Sequence, residues 1–260
     1  MPAELRGESI SIIVPVCNEA AGIGTFLKRL RERAPAAELI VVDGASDDGT
    51  AQIAAALCDQ LIKTGRGRAR QMNAGARAAT REILWFLHAD TEPPRDCVQQ
   101  VESTLRDRRV AGGYFRIQLP RDRMVYRLTD SFAHYAGKVL RIRCGDHGLF
   151  CRREMFERIG GFPEVALMED VEFFRALRRC GRVRSVNSRL IISARRYEEI
   201  GPAKLTLAYG LIATLYALGA PLPLLSRVYR RTCSLPAADS IAVLNTCGSR
   251  SNVASRSRSA

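Results

Sequence analysis

Ile10 to Val16 is an unbroken apolar, largely β-branched run that stops at Cys17-Asn18-Glu19, the pattern of a strand buried on both faces. The spacing then turns helical from about Gly22 to Arg33, with Ile23, Phe26, Leu27 and Leu30 on one face. Glu38 to Val42 repeats the buried-strand pattern and ends at Asp43-Gly44. Helix-starting residues at Ser46 to Thr50 lead into a predicted helix from Ala51 to Leu57. Leu61-Ile62 predicts a short strand, Arg68 to Ala79 a helix, and Ile83 to Leu87 a fourth strand running into His88-Ala89-Asp90. Strands alternating with helices in this way predict an α/β fold, with a Rossmann-like, mostly parallel sheet covered on both faces. Such sheets bind ligands at the carboxyl ends of their strands, which is where the polar clusters fall.

The second half changes character. Strands are predicted at Gly112 to Gln118, Leu149 to Arg152, Val183 to Val186 and Leu190 to Ser193. Helices are predicted at Arg123 to Leu140, Glu154 to Ile159 and Val171 to Cys180, the last entered through Glu169-Asp170 after a Gly160-Gly161-Phe162-Pro163 turn. Leu205 to Ser226 is 22 residues without a formal charge. That length permits a membrane span, but Gly210, Gly219, Pro221 and Pro223 interrupt it. The reading is a helix docked on the domain or lying in a membrane interface, where Lys204, Arg227, Arg230 and Arg231 suit an anionic surface. The organisation expected is one domain over 1–204, an apolar helical segment over 205–231, and a Ser- and Ala-rich disordered tail over 232–260.

Charge narrows the partners. Among 260 residues the formal net charge is +13, carried by 40 basic residues of which Lys28, Lys63, Lys138 and Lys204 are the lysines. Arginine forks onto phosphate and carboxylate, so anionic partners are expected. A nucleic-acid module would interleave aromatic platforms with its arginines; aromatics are 7%, and no nucleic acid is expected. The eight cysteines form no C-x-x-C pair, which argues against zinc, and Met1 to Glu8 has no apolar core of a secretory leader. The expected place is the cytoplasm, at the inner face of the membrane if 205–231 engages it.

Each polar cluster has a chemical reading and a plainer one. Asp43, at the end of a buried strand, can accept hydrogen bonds from a nucleobase or ribose, or belong to an ordinary turn whose Ser46 or Asp47 caps a helix. The arginines between Gly65 and Gly75 can hold phosphate, or form a solvated basic loop. His88 and Asp90, two apart on a strand end, can face one cation; a single carboxylate with a substrate diphosphate suits Mg²⁺ and the imidazole tilts toward Mn²⁺. Alternatively Asp90 caps a helix after Pro93-Pro94. Glu169-Asp170 can supply a general base that takes the proton of an attacking hydroxyl, or can complement a helix N-terminus. Arg195, Arg196 and Tyr197 can meet a departing phosphate and a sugar ring, or form a basic surface turn.

Together these pieces resemble family-2 glycosyltransferases of the GT-A fold. Pro15-Val16-Cys17-Asn18-Glu19 resembles their P-x-x-N-E donor loop. Val42 to Thr50 is similar to V-D-D-G-S-x-D-G-T, with Gly44 where an acid is more usual. Leu87-His88-Ala89-Asp90 resembles the D-x-D metal motif with His first, Met168-Glu169-Asp170 the E-D base motif, and Ser193 to Tyr197 a degenerate Q-x-x-R-W. The wording of Gly67 to Gly75, and of Gly145-Asp146-His147-Gly148-Leu149-Phe150 against G-D-Q-G-I-F, is similar to a small bacterial subgroup found beside radical-SAM and selenium- or arsenic-related proteins. Related carotenoid glycosylation keeps a lipid acceptor open.

The resemblance implies an inverting, metal-dependent transferase that moves a sugar from a nucleotide-diphosphate donor, UDP-linked as the first expectation, to a hydroxyl of a small-molecule or lipid acceptor. Pro15, Asn18, Glu19, Asp43, Arg70, Gln71 and Ala89 are then implied at the donor nucleotide. Asp90 and His88 are implied at Mn²⁺ or Mg²⁺, Asp170 with Glu169 at the base, and Asp146, His147, Arg196 and Tyr197 toward the diphosphate or acceptor. A nucleotidyltransferase of similar layout is the rival reading, but it would want cations straight after the first strand, where Cys17 to Gly22 has none.

Overall fold

The computed structural model describes residues 7–120, 124, 126, 147–165 and 167–233. Its sheet is built from β1 (Ile10–Val16), β2 (Glu38–Asp43), β3 (Gln60–Lys63), β4 (Ile83–Phe86), β5 (Thr91–Glu92), β6 (Val110–Gln118), β7 (Phe150–Arg152) and β8 (Arg182–Ile192) in the order β3-β2-β1-β4-β7-β6-β8-β5. The first four strands are parallel. β7 enters antiparallel to β4, and β6 and β8 restore the original direction. The fold is therefore α/β with a mostly parallel sheet, as the alternation of patterns predicts. β1, flanked by β2 on one side and β4 on the other, is a switch point of the kind that opens a ligand crevice at the strand ends.

The helices are α1 (Ala20–Arg33), α2 (Thr50–Ala55), α3 (Arg68–Ala78), α4 (Cys97–Leu105), α5 (Arg153–Ile159), α6 (Glu169–Cys180), α7 (Arg195–Ile200), α8 (Pro202–Ala217) and α9 (Leu222–Cys233). Strand alternation sorts the core into two layers. Ile10, Ile12, Val14 and Val16 of β1 face a cluster with α1, α2 and α4, while Ile13 faces a second with α3, α5 and α6. Every residue of β1 and β2 is buried, which is why neither strand alternates polar with apolar.

Three expectations differ in detail. The two late strands are one, β8, which runs on through polar Asn187 and Ser188; β6 pairs with it on either side of them, and the register shifts across this stretch. The strand-then-turn expected at 190–197 ends instead in α7. The apolar segment at 205–226 is two helices, broken at Gly219, Ala220 and Pro221, where Gly219 takes a φ of 84°. This α8–α9 hairpin packs through Leu205, Ala208, Ile212 and Tyr229 against Leu167, Met168 and Tyr197, and through Tyr216 and Leu225 against Val171. No helix among the described residues is long and apolar enough to cross a membrane. The predicted helix at 123–140, apart from helical Met124 and Tyr126, and the tail at 234–260 lie outside the described residues.

Candidate active site

The carboxyl ends of β1, β2 and β4 converge on one crevice because the register places them side by side. Val16 pairs with Asp43, and Leu87, just past β4, donates its amide to Ile13 of β1 (3.0 Å). Pro15 lies beyond the last residue of β1 that β4 covers. The loops after β1 and β2 are then zipped together by short polar side chains. The Asn18 amide donates to Ser46 Oγ (3.0 Å), and Asn18 Oδ1 accepts from the Asp47 amide (3.0 Å). The Glu19 amide donates to Thr50 Oγ1 (2.8 Å). Asp48 receives the Ala20 amide at the start of α1 (3.0 Å) and the Thr50 amide at the start of α2 (3.0 Å), so one carboxylate serves two helix N-termini. Desolvation works against the charged form of Asp48, but hydrogen bonds from the Thr50 hydroxyl and the Ala20 and Thr50 amides outweigh it and hold the carboxyl below its ordinary value. Asp43, 2% exposed, accepts the Ser46 hydroxyl and the Ser46 amide (3.2 Å). The plainer reading of this loop as a capped turn therefore describes its frame, with Asp48 doing the capping rather than Ser46 or Asp47.

α3 holds the crevice together from below. Gln71 is buried and donates both side-chain hydrogens, to the carbonyls of Val16 (2.7 Å) and Val42 (2.9 Å), so it ties the ends of β1 and β2 beneath the loop. A Cβ on Gly44 would meet Gln71 Nε2 at 2.8 Å, which accounts for glycine where the family pattern carries an acid. One turn on, Gly75 lets α3 settle against Ile13 and Val42 with no room for a side chain. Asn73 clips Phe162, giving Nδ2 to its carbonyl and taking its amide on Oδ1, both at 2.8 Å.

Arg68 opens α3 and joins the two remaining clusters. Its guanidinium donates to His88 Nε2 and stands 3.6 Å, Nε to Oε1, from Glu169. Glu169 and Asp170 are 6% and 5% exposed at the start of α6, where Asp170 Oδ1 accepts the Val171 amide (2.7 Å). Tyr216 of α8 donates to Glu172 one turn further, under the Arg175 guanidinium at 4.3 Å from its ring. Burial pushes its hydroxyl well up, reinforced by the Glu172 bond and the charges of Glu172 and Asp170. Arg196 lies 5.6 Å from the Tyr229 ring centre, and Tyr197 sits edge-on to Tyr126 and Tyr209. Burial raises the Tyr229 hydroxyl against the opposing charges of Arg196 and Arg68.

The other sequence-predicted residues take these places. Asp90 is exposed beyond β4 and Ala89 is half-buried. His147 stands two residues before Leu149, whose carbonyl takes the Phe86 amide (2.9 Å), and so lies at the β4 end of the crevice, with its ring against Tyr114. Arg70 is exposed and pairs with Glu164 at 3.3 Å. A pair so exposed is worth about 0–1 kcal/mol, little enough for Arg70 to exchange it for a phosphate. Asp146 lies outside the described residues. Among the described residues no group of three or more His, Cys, Asp or Glu is arranged to hold a metal alone. Sequence reasoning named Arg68 only as one of several arginines that could hold phosphate, and did not single out Asn73 or Asp48. The signal available for the first two was polar side chains on the face of α3 that carries Ala69, Met72 and Ala76 into the core.

Residues 11–160 match the family described as Glycosyl transferase family 2. The chain belongs to that family. It is 29% identical over 169 residues to Glycosyltransferase AglE of Haloferax volcanii, a stretch covering 59% of this chain and 56% of that relative. It is 33% identical over 93 residues to the 4,4'-diaponeurosporenoate glycosyltransferase of Staphylococcus haemolyticus, covering 33% and 25%. The family-2 chain thus spans about half or less of these relatives' lengths. The mannosyltransferase PcManGT of Pyrobaculum calidifontis, solved with GDP-Man and Mn²⁺, superposes with a TM-score of 0.62 at 24% identity, over 88% of this chain and 77% of that one. That likeness establishes the GT-A fold of this family-2 chain.

Proposed function

We propose that this protein is an inverting glycosyltransferase that moves a sugar from a nucleotide-diphosphate donor to a hydroxyl acceptor. The observation that carries the reading is Arg68, whose guanidinium spans from His88 after β4 to Glu169 at the start of α6, beside Asp170. Two clusters separated by some eighty residues of chain meet around one cation in the crevice at the end of β1.

The donor nucleotide lies along the zipped loops, its base or ribose on Asp43 and the backbone of 15–19, with Gln71 fixing those strand ends from beneath. Arg70 and Arg68 meet the diphosphate. A divalent ion would be held by Asp90 together with the donor's diphosphate, because hard cations are commonly held by one carboxylate with a substrate diphosphate. Bound there, Mn²⁺ or Mg²⁺ stabilises the charge that develops on the leaving diphosphate. His88, whose Nε2 receives Arg68, orients that guanidinium. Asp170 takes the proton from the acceptor hydroxyl as it attacks the anomeric carbon from the face opposite the diphosphate. Glu169 holds Arg68, and one base with one displacement gives inversion. His147, Arg196, Tyr197 and, by resemblance, Asp146 border the acceptor side.

The acceptor side also carries the membrane reading. Leu207, Leu211, Leu218 and Leu224 are exposed on the α8–α9 hairpin at 71%, 50%, 79% and 40%, with exposed Lys204, Arg227 and Arg231 beside them. The sequence from 200 to 238 holds no acid. An apolar face whose own two helices carry cations and no acid complements an anionic membrane surface, and a lipid acceptor would be presented there. Sedimentation with anionic but not neutral vesicles supports this placement; equal sedimentation with both removes it.

The deciding experiment is a thermal-shift panel of nucleotides and nucleotide sugars with and without Mn²⁺, followed by turnover of Asp170→Asn. A donor at ~100 Kd adds about 2.7 kcal/mol of stability. Asp170→Asn is expected to lose ~10²–10⁴ in turnover with donor binding kept. A variant turning over at the wild-type rate removes the base.

A further inference from the structure

At the edge of the sheet opposite the crevice, three segments meet. β6 and β8 start side by side, with Val110 paired to Arg182 and the Arg182 amide donating to the Arg109 carbonyl (3.1 Å). α6 ends there, its last turn closed by the Gly181 amide on the Leu177 carbonyl (3.2 Å). Residues 106–109 and 178–184 hold seven arginines and one acid, Asp107. The groove between them, about 700 Å³, is lined by Arg109, Arg178, Gly181, Arg182, Val183 and Arg184, and all four of these arginines are exposed. Asp107 meets Arg184 at 3.2 Å and also takes the Arg109 amide (3.0 Å).

Ordinary structural needs explain part of this. Cations in the last turn of a helix complement its dipole by about 0.3–1 kcal/mol, which covers Arg178 and Arg179. It does not cover Arg109, Arg182 and Arg184, which lie on or just before strands and bring further positive charge to the same groove. Guanidiniums lining one groove repel one another, screened over about 8 Å at physiological salt, and an anion between them relieves that repulsion. Guanidinium forks match phosphate oxygens in pairs. The lining has no aromatic ring on which a base would stack, so a phosphate-dense ligand without a base fits best.

We propose that this arginine corner is a second anion site, separate from the crevice, for a compact molecule carrying two or more phosphate groups. The length of α6 sets the two apart: Cys180 is about 16 Å along the helix from Glu169. The site stands independently of the glycosyl-transfer reading.

Isothermal titration of inorganic tripolyphosphate into the full chain tests it. Arg178→Gln/Arg182→Gln is expected to weaken binding about tenfold for each arginine removed, while Arg68→Gln/Arg70→Gln in the crevice leaves one event of wild-type affinity. Far-ultraviolet circular dichroism should match the wild type for both. If the corner pair misfolds, Arg178→Lys/Arg182→Lys, which keeps the charge but not the fork, is expected to fall between wild type and no binding. Loss that follows the crevice pair instead overturns the proposal. So does orthophosphate binding as tightly as tripolyphosphate at equal ionic strength, or a short DNA duplex displacing tripolyphosphate at lower phosphate concentration.

Discussion

Asn73 and Phe162 exchange two hydrogen bonds of 2.8 Å across eighty-nine positions of sequence. The pair fixes α3 to the turn that leads into Glu169 and Asp170. Both residues are buried, at 8% and 2% exposed, so Asn73→Ala strands the Phe162 amide and carbonyl without water to replace the lost partner. Chemical denaturation is expected to show a loss of about 2–4 kcal/mol. Turnover should fall further than donor affinity, since the loosened turn carries Glu169 and the proposed base Asp170.

Gly44 and Gln71 should behave as a coupled pair. A Cβ at position 44 would stand 2.8 Å from Gln71 Nε2, and that amide is pinned by two strand-end carbonyls. Gly44→Ala is expected to cost about 1–3 kcal/mol. In a Gln71→Ala background the same change should cost clearly less, and additive costs in a double-mutant cycle would rule out the contact.

Acidification should open the zipped loops through Asp48. Its folded value lies below the ordinary one, so its contribution to stability is complete above the unfolded value, about 3.9, and is lost as pH falls through the folded value. The difference in melting temperature between wild type and Asp48→Asn should hold constant from neutral pH down to about pH 5 and close below pH ~4. A gap that widens on acidification would contradict the sign.

Asp90→Ala should weaken donor binding in Mn²⁺ and leave it unchanged in a chelator, as read by titration with the best nucleotide sugar of the panel. Loss of equal size in both conditions would assign Asp90 to packing or capping instead of the ion.

Much of this architecture is visible in the chain before any coordinates. β1 runs over Ile10–Val16 as its apolar run predicts, and the next three strands agree to within a residue or two; burial on both faces marks β2 and β4, while the partly buried edge strand β3 is marked by Leu61-Ile62 alone. What escapes is decided by partners remote in sequence. Asn187 and Ser188 read as a break between strands, yet the strand continues because β6 pairs with it before them, as far as Ser185, and again after them, from Arg189. Two-residue β5 exists only through its pairing with Ile191 and Ile192. At the site, acids at strand ends and before α6 announce themselves by position. Arg68 does not, since several arginines crowd the same stretch. Only the helical phase that turns its guanidinium toward His88 and Glu169 sets it apart from Arg66 and Arg70.

α3, eleven residues long, touches the ends of β1 and β2, the loop after β4 and the approach to α6 through Arg68, Gln71 and Asn73. None of these four pieces can drift from another without straining bonds made to the same short rod. On the proposed function, the alignment of donor loop, leaving-group cation and base is thereby completed while the chain folds. Substrates then meet a cradle already set, and the entropy of assembling it does not recur with each turnover.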